Sequence, residues 1–482
     1  MCLLPFSAIS QIQQAWAVHY NNGITNGTNQ AVKMALDSAG HIYVLGFSQN
    51  TNTNLGYVTI KYAPNGTQLW AARYDDTNSP SAVPSGLVLD TNNNVIITGS
   101  ALTVKYDSNG NQLWAAPYSA SAIAMDPGGN AILTGMASSF TTAKLNPAGS
   151  NLWQETYLDP IGPAQSQVVL ADASSNVYVA GSYTDICYST GCEESLFVVK
   201  YDQNGNQLLT TGYGAGPAAS VVVGGAALDG AGNLYFLASF IGVFAEYETL
   251  KYSSAGNLSW AVNVNYNGSS RGKSLALDSE TNVLVTGQCF AYDYRTAAYG
   301  YGTFKVSADG GTLWTNYFPQ TPLGSTSATS MAVDFASNSY VTGYSPGVNG
   351  TNDIVTIKYG PNGNQIWLQR YSSPSGGNAA GNAIAVDGNG NVYVTGYDTT
   401  AAGGTEIVTI KYSPVTVQHR SDGTVILQAQ GSPGEAFDIE ASTDLLNWLD
   451  LGSVLTDTNG LMQFDDTNAP AYPARFYYTS PQ

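Results

Sequence analysis

The feature that most constrains this chain is an internal repeat. The stretch Val386-Asp387-Gly388-Asn389-Gly390-Asn391-Val392-Tyr393-Val394-Thr395-Gly396 is two short apolar runs around a tight polar turn. The pattern occurs eight times, with its Asp at Asp37, Asp90, Asp126, Asp172, Asp229, Asp278, Asp334 and Asp387. The spacing averages roughly 50 residues, the period of a propeller blade.

Each repeat has four parts. A small apolar strand ends in the Asp, and a turn leads to a second strand such as Ile42-Tyr43-Val44-Leu45-Gly46. A variable loop precedes a third strand that ends in Lys and, in most repeats, Tyr, as in Ile60-Lys61-Tyr62; a Gly- and Asn-rich turn then leads to a fourth, Gln68-Leu69-Trp70-Ala71-Ala72-Arg73-Tyr74. Runs rich in Val, Ile, Tyr and Thr between such turns read as strands, and Gly and Asn supply the positive φ of tight hairpins. The Lys recurs at Lys61, Lys105, Lys144, Lys200, Lys251, Lys305, Lys358 and Lys411. The Trp recurs at Trp16, Trp70, Trp114, Trp153, Trp260, Trp314 and Trp367, with Leu209 in the remaining place. A large ring repeated in every unit is expected to pack into the next blade rather than to stack on sugar. The repeated Lys and Asp are expected to meet in a structural contact; an anion-binding ring of Lys is the functional alternative.

The chain ends fit this scheme. Gln14 to Tyr20 is a fourth strand with no first three before it, and Ile407 to Tyr412 is a third strand with no Leu-Trp strand after it. Together they complete one blade, which is how propeller rings close and protect their edges. The expected fold is an all-β, eight-bladed β-propeller over residues 14–413, with seven blades as the alternative count. Residues 414–482 lose the repeat and read as a small antiparallel, sandwich-like β domain with strands at Thr424–Ala429, Ala436–Ala441 and Arg475–Tyr478. Residues 1–13 read as a leader or clipped signal peptide, with an unstructured tail as the alternative.

Charge narrows the partners. Lys and Arg total 16 against 34 Asp and Glu, a formal net charge of −18, and half of the basic residues sit at the repeated Lys. No basic stripe is left for nucleic acid. No apolar window is long enough to span a membrane as a helix. Cys187 and Cys192 flank a short loop and are candidates for a disulfide in an oxidising compartment. The three His are scattered, so no metal site is expected.

In propeller geometry the first-to-second and third-to-fourth turns share one face. That face is monotonous here. The second-to-third loops share the other, and they vary from Ser100-Ala101 to the stretches 182–195 and 288–302. Binding residues sit on variable loops held by a rigid scaffold. Candidate ligand-binding residues are therefore Tyr183, Asp185 and Tyr188 in the fourth repeat and Tyr292, Tyr294, Arg295, Tyr299 and Tyr301 in the sixth. Tyr gives large amphipathic contact area at low entropic cost; the structural alternative is that these rings pack a long loop onto the ring. The Asp-x-Asn-Gly-Asn turns offer one carboxylate each, too few for calcium's six to eight oxygens. Calcium is the alternative to plain hairpin chemistry there, and no cofactor is expected. No nucleophile elbow, phosphate loop or zinc-protease motif occurs.

The unit Ala383 to Gly396 followed by Val408-Thr409-Ile410-Lys411-Tyr412 resembles the SBBP-type beta-propeller repeat of secreted bacterial proteins and, more broadly, NHL-like propellers. The resemblance covers about residues 14–413 and implies a secreted or cell-surface protein that binds or scaffolds, with no catalytic residues to carry over. The spacing of Asp107, Gly110 and Trp114 is also similar to the docking motif of eight-bladed quinoprotein dehydrogenases, whose adjacent Cys pair is missing here. Residues 414–482, through Ile439 to Asp444 and Asn447-Trp448, resemble C-terminal β modules of large secreted bacterial proteins. The expected function is non-catalytic recognition of an extracellular protein or polysaccharide by a monomer. The alternative is a secreted enzyme acting on glycans, with facing carboxylates over the channel mouth.

Overall fold

The computed structural model describes residues 12–76, 81–136, 139–158, 164–188, 191–214, 218–242, 246–263, 270–293, 296–318, 326–431, 433–444, 446–472 and 474–481. The leader expected at 1–13 lies almost wholly outside them. Eight four-stranded antiparallel sheets follow one another along the chain. Numbered as blades, they span 29–74, 84–116, 122–156, 164–213, 218–263, 271–318 and 327–371, and the eighth combines 379–414 with Ile12–Tyr20. Within each of the first seven the strands pair in sequence order. In the eighth, Ile12–Tyr20 takes the fourth place, antiparallel to Thr405–Pro414.

The first strands of neighbouring blades touch in succession, from blade 1 to blade 8 and back to blade 1, so they form the inner wall. The second and third strands are covered on both sides by adjacent blades. Val392–Thr399 and Thr405–Pro414 are buried for most of their length, which is why they read as near-continuous apolar runs. Each core cluster of the ring spans a blade seam. One joins Tyr43, Leu45 and Tyr57 of blade 1 to Val95, Ile97 and Tyr106 of blade 2, and another joins Trp16, Tyr393 and Ile407 of blade 8 to Ile42, Val44 and Val58 of blade 1.

Two glycine positions show why the repeat needs its small residues. Gly396 in the second strand lies opposite a register shift in the first strand between Gly381 and Ala383, and a Cβ there would strike the Ala380 carbonyl. In the third-to-fourth turn, Gly363 has φ +82° and lies under the Trp314 ring.

The long stretches in repeats four and six are not open loops, contrary to the sequence expectation. Strands Val177–Tyr188 and Gly191–Tyr201 pair out to Tyr188 and Gly191, and Val283–Asp293 pairs with Thr296–Val306 out to Asp293 and Thr296. They form β-hairpins several residues longer than those of blades 2 and 3.

Residues 416–481 hold two three-stranded sheets, Thr416–His419/Val425–Gln430/Leu461–Asp466 and Leu449–Leu455/Ala436–Ser442/Phe476–Pro481. They share one core of Val425, Leu427, Phe437, Ile439 and Met462. Thr479 Oγ1 donates to Gln13 Oε1 at 2.7 Å, which ties the last strand to the N-terminal one.

Candidate functional site

The two faces of the ring use their side chains differently. On the turn face every repeated group has a structural partner. Asp387 is representative: its Oδ1 accepts the backbone N–H of Asn389 and Asn391, both at 2.9 Å, and its Oδ2 accepts Asn391 Nδ2 at 2.7 Å. Hydrogen-bond donors from its own turn thus fill this carboxylate.

The Lys–Asp contact forms directly in three blades. Lys105 meets Asp90 at 2.9 Å, Lys144 meets Asp126 at 2.7 Å and Lys305 meets Asp278 at 2.8 Å. In the other five blades a Tyr six residues after the Asp intervenes, which corrects the expectation of one uniform pair. Tyr43, Tyr178, Tyr235, Tyr340 and Tyr393 each donate to their Asp through Oη. Lys61, Lys200, Lys251, Lys358 and Lys411 stand over those rings at 4.8–5.6 Å. The three directly paired blades carry Ile96, Ile132 and Leu284 at the Tyr position. An aliphatic residue there leaves the Asp open to the Lys, whereas a Tyr gives the Lys a π-face instead.

The Trp locks the seams as the repeat predicts. Trp314 Nε1 donates to the Pro361 carbonyl of the next blade at 2.9 Å, and Lys305 Nζ reaches the same oxygen at 3.3 Å. The same pair of donors converges on Ser108, Pro147 and Ala308. At the closing seam the donors come from opposite chain ends. Trp16 Nε1 and Lys411 Nζ both reach the Pro64 carbonyl at 3.2 Å.

The variable-loop face holds the residues singled out from the sequence. Tyr183 is half-buried with its ring 5.0 Å from Phe197, so it packs the fourth blade. Tyr301 is a correction: it is fully buried between blades 6 and 7, its Oη donating to the Val355 carbonyl at 3.2 Å, and it is out of a ligand's reach. Tyr299 is half-buried beside Phe290, ring centroids 5.0 Å apart, on the projecting part of the sixth-blade hairpin. Tyr292 pairs with Ala297 on the same hairpin. Tyr294 and Arg295 lie outside the described residues, as do the side chains of Asp185, Tyr188 and Tyr292. Cys187 and Cys192 face each other across the fourth-blade hairpin; their side chains too are outside the described set. Cys289 is a buried free thiol beside Tyr247 Oη at 3.1 Å, and burial pushes its pKa up to about 11.

One cluster on this face escaped the sequence reading. His19 Nε2 lies 2.8 Å from Tyr371 Oη and 3.2 Å from Asp398 Oδ2, and Tyr371 Oη donates to the same Asp398 oxygen at 2.8 Å. Glu406, opposite Asp398 in the blade 8 hairpin, accepts Asn21 Nδ2 at 3.1 Å. The Asp398 hydrogen bond draws the His19 pKa above its usual value against the effect of burial. Burial and the Asp398 charge together push the Tyr371 phenol up. Comparing the repeats with one another reveals the signal. The place of Asp398 is held by Ser48, Ser345, Phe240, Cys289 and Tyr183 in other blades. The place of His19 is held by Arg73 and Arg370.

Residues 313–349 and 366–397 match the family model of the SBBP beta-propeller repeat. An uncharacterized WD repeat-containing protein of Acanthamoeba polyphaga mimivirus is 27% identical over 435 residues, covering 76% of this chain; the chain spans only 27% of that protein's length. Among solved structures, the extracellular domain of a hybrid two-component system from B. thetaiotaomicron aligns over 94% of this chain and 70% of its own, at 12% identity and TM-score 0.38. A polysaccharide lyase aligns over 82% and 91%, at 7% identity and TM-score 0.42. A puromycin hydrolase aligns over 72% and 58%, at 13% identity and TM-score 0.45. Among the described residues no helix is long and apolar enough to cross a membrane.

Proposed function

Taking the chain as an SBBP-type β-propeller protein, we propose that it is a secreted or cell-surface recognition protein that binds an extracellular polysaccharide or protein through its variable-loop face. The observation that carries this reading is the sixth-blade hairpin, which runs past its blade and sets Phe290 and Tyr299 side by side on one face. The turn face gives its Trp and Lys to the seams and its Asp to the turns and strands of its own blade, and only the hairpin face varies from blade to blade. Aromatic side chains on a rigid two-stranded support combine contact area with low ordering cost.

The enzyme alternative needs two carboxylates facing each other where the inner strands meet. Asp398 and Glu406 sit instead on the second and third strands of blade 8, away from the inner wall. That placement favours recognition over hydrolysis. The Cys187–Cys192 pair belongs to the same reading: residues directly opposed in an antiparallel ladder stand about 4.5–5.5 Å apart at Cα, within disulfide reach, and a bridge would brace the fourth-blade hairpin outside the cell.

The test is a polysaccharide and glycan-array binding assay on the full chain beside the Phe290→Ala/Tyr299→Ala variant, with a surface-protein pull-down in parallel. Binding by the wild type that drops at least about tenfold in the variant supports the reading. Binding that is equal in both places the ligand elsewhere and overturns the hairpin as its site.

A further inference from the structure

Blade 8 departs from the repeat at three positions, and all three departures meet at one point. In blade 7, Arg370 on the fourth strand pairs with Asp353 on the third at 3.2 Å, one cation to one carboxylate. In blade 8 the same two positions hold His19 and Glu406, and the second strand adds a further carboxylate, Asp398. Two acids therefore face one imidazole. The side chain of Asp398 is fully buried, and among the described residues no donor reaches its Oδ1. A buried carboxylate left half-satisfied is costly unless a cation lies beside it.

We propose that His19, Asp398 and Glu406 form a binding site for a divalent transition-metal ion of the zinc class, built inside blade 8 where the N-terminal strand joins the strands from the far end of the chain. The ligand atoms of the three residues lie within 4.8 Å of one another. His19 Nε2 and Asp398 Oδ2 stand 3.2 Å apart, close to the roughly 3.4 Å that separates two ligand atoms held 2.0–2.2 Å from one tetrahedral ion. Glu406, half-buried at the rim, closes the remaining gap by turning its carboxylate inward. Tyr371 Oη, already 2.8 Å from Asp398 Oδ2, holds that carboxylate in place as an outer partner. One imidazole with two carboxylates suits zinc or manganese; calcium and magnesium prefer an all-oxygen shell with more ligands. Because His19 comes from the N-terminal strand of blade 8 and the acids from its second and third strands, the ion would staple the strand that completes the last blade.

The experiment is titration calorimetry of the chelator-dialysed full chain with Zn²⁺, Mn²⁺ and Ca²⁺, with thermal melting alongside. One zinc per chain is expected, with a higher melting temperature in zinc and a much weaker response to calcium. His19→Gln and Glu406→Gln should each weaken zinc at least about tenfold, since even outer-sphere partners carry 10–100-fold. His19→Arg recreates the pair seen in blade 7, so it should fold without zinc, melt independently of it and bind none. His41→Gln, beside Asp37 on the other face, should leave the titration unchanged. Zinc affinity that survives His19→Arg, or that disappears with His41→Gln, overturns the proposal. So does a zinc X-ray absorption spectrum of the wild type that shows sulfur or more than one imidazole.

Discussion

Lys144 and Lys358 occupy the same repeat position and do different things there. Lys144 forms a buried ion pair with Asp126, whereas Lys358 lies 4.9 Å over the Tyr340 ring. Removing one partner of a buried pair costs about 3–5 kcal/mol, and a cation–π contact is worth about 0.5–2 kcal/mol. Lys144→Met should therefore lower urea-unfolding stability by about 3 kcal/mol, at the low end because Asn130 still donates to Asp126, and Lys358→Met by about 1 kcal/mol. Equal losses would contradict the two-state reading of this position. The repeated acids also fix the pH response. Burial pushes the Asp126 carboxyl up, but hydrogen bonds from Asn130, Lys144 and the backbone outweigh it and leave the group below its ordinary range; Asp90, Asp172, Asp229 and Asp278 behave alike. A carboxyl with a folded pKa below its unfolded value of about 3.9 stabilises the fold above that pH and loses the effect as pH falls through the folded pKa. Stability should be full near neutrality and fall below about pH 4, with a shallower acid limb in Asp126→Asn. At this scale the sequence showed that Lys and Asp recur together. The intervening Tyr was missed because it lies in the second strand, where it reads as one more β-former.

A blade is held to the next by one Trp and one turn. The natural exception is Leu209, which sits on Gly256 of blade 5 where Trp sits on the corresponding Gly of other seams. Leu209→Trp should restore the indole donor toward the turn carbonyl at Ser254 and stabilise the ring by about 1 kcal/mol, read from a denaturant midpoint. A lower midpoint would show that blade 5 has closed around the smaller side chain. Element boundaries were legible wherever Gly and Asn mark a turn. They were not legible in the sixth-blade hairpin, where the sequence between Asp293 and Thr296 carries no Asn-Gly or Asp-Gly signal, and pairing to Asp293 and Thr296 rests on the long alternation of the two strands.

For the whole molecule, the unmatched strands at each end of the repeat were enough to foresee that Gln14 to Tyr20 completes the last blade, in a strand that begins two residues earlier, at Ile12. The composite cluster there was out of reach, because His19 and Asp398 are 379 residues apart and each looks unremarkable among its neighbours in sequence. The account as a whole holds that the turn face maintains the ring and the hairpin face is free to recognise a ligand. Thermal melting of Phe290→Ala/Tyr299→Ala beside Trp314→Ala tests this most directly. Trp314→Ala removes a half-buried indole that bonds Pro361 and covers Gly363, at a cost below the about 3–5 kcal/mol of a fully buried Trp truncation. Its melting temperature should fall by several degrees, while the hairpin variant should melt with the wild type. A hairpin variant that melts as low as Trp314→Ala would show that Phe290 and Tyr299 serve the ring, and would contradict the division of labour between the faces.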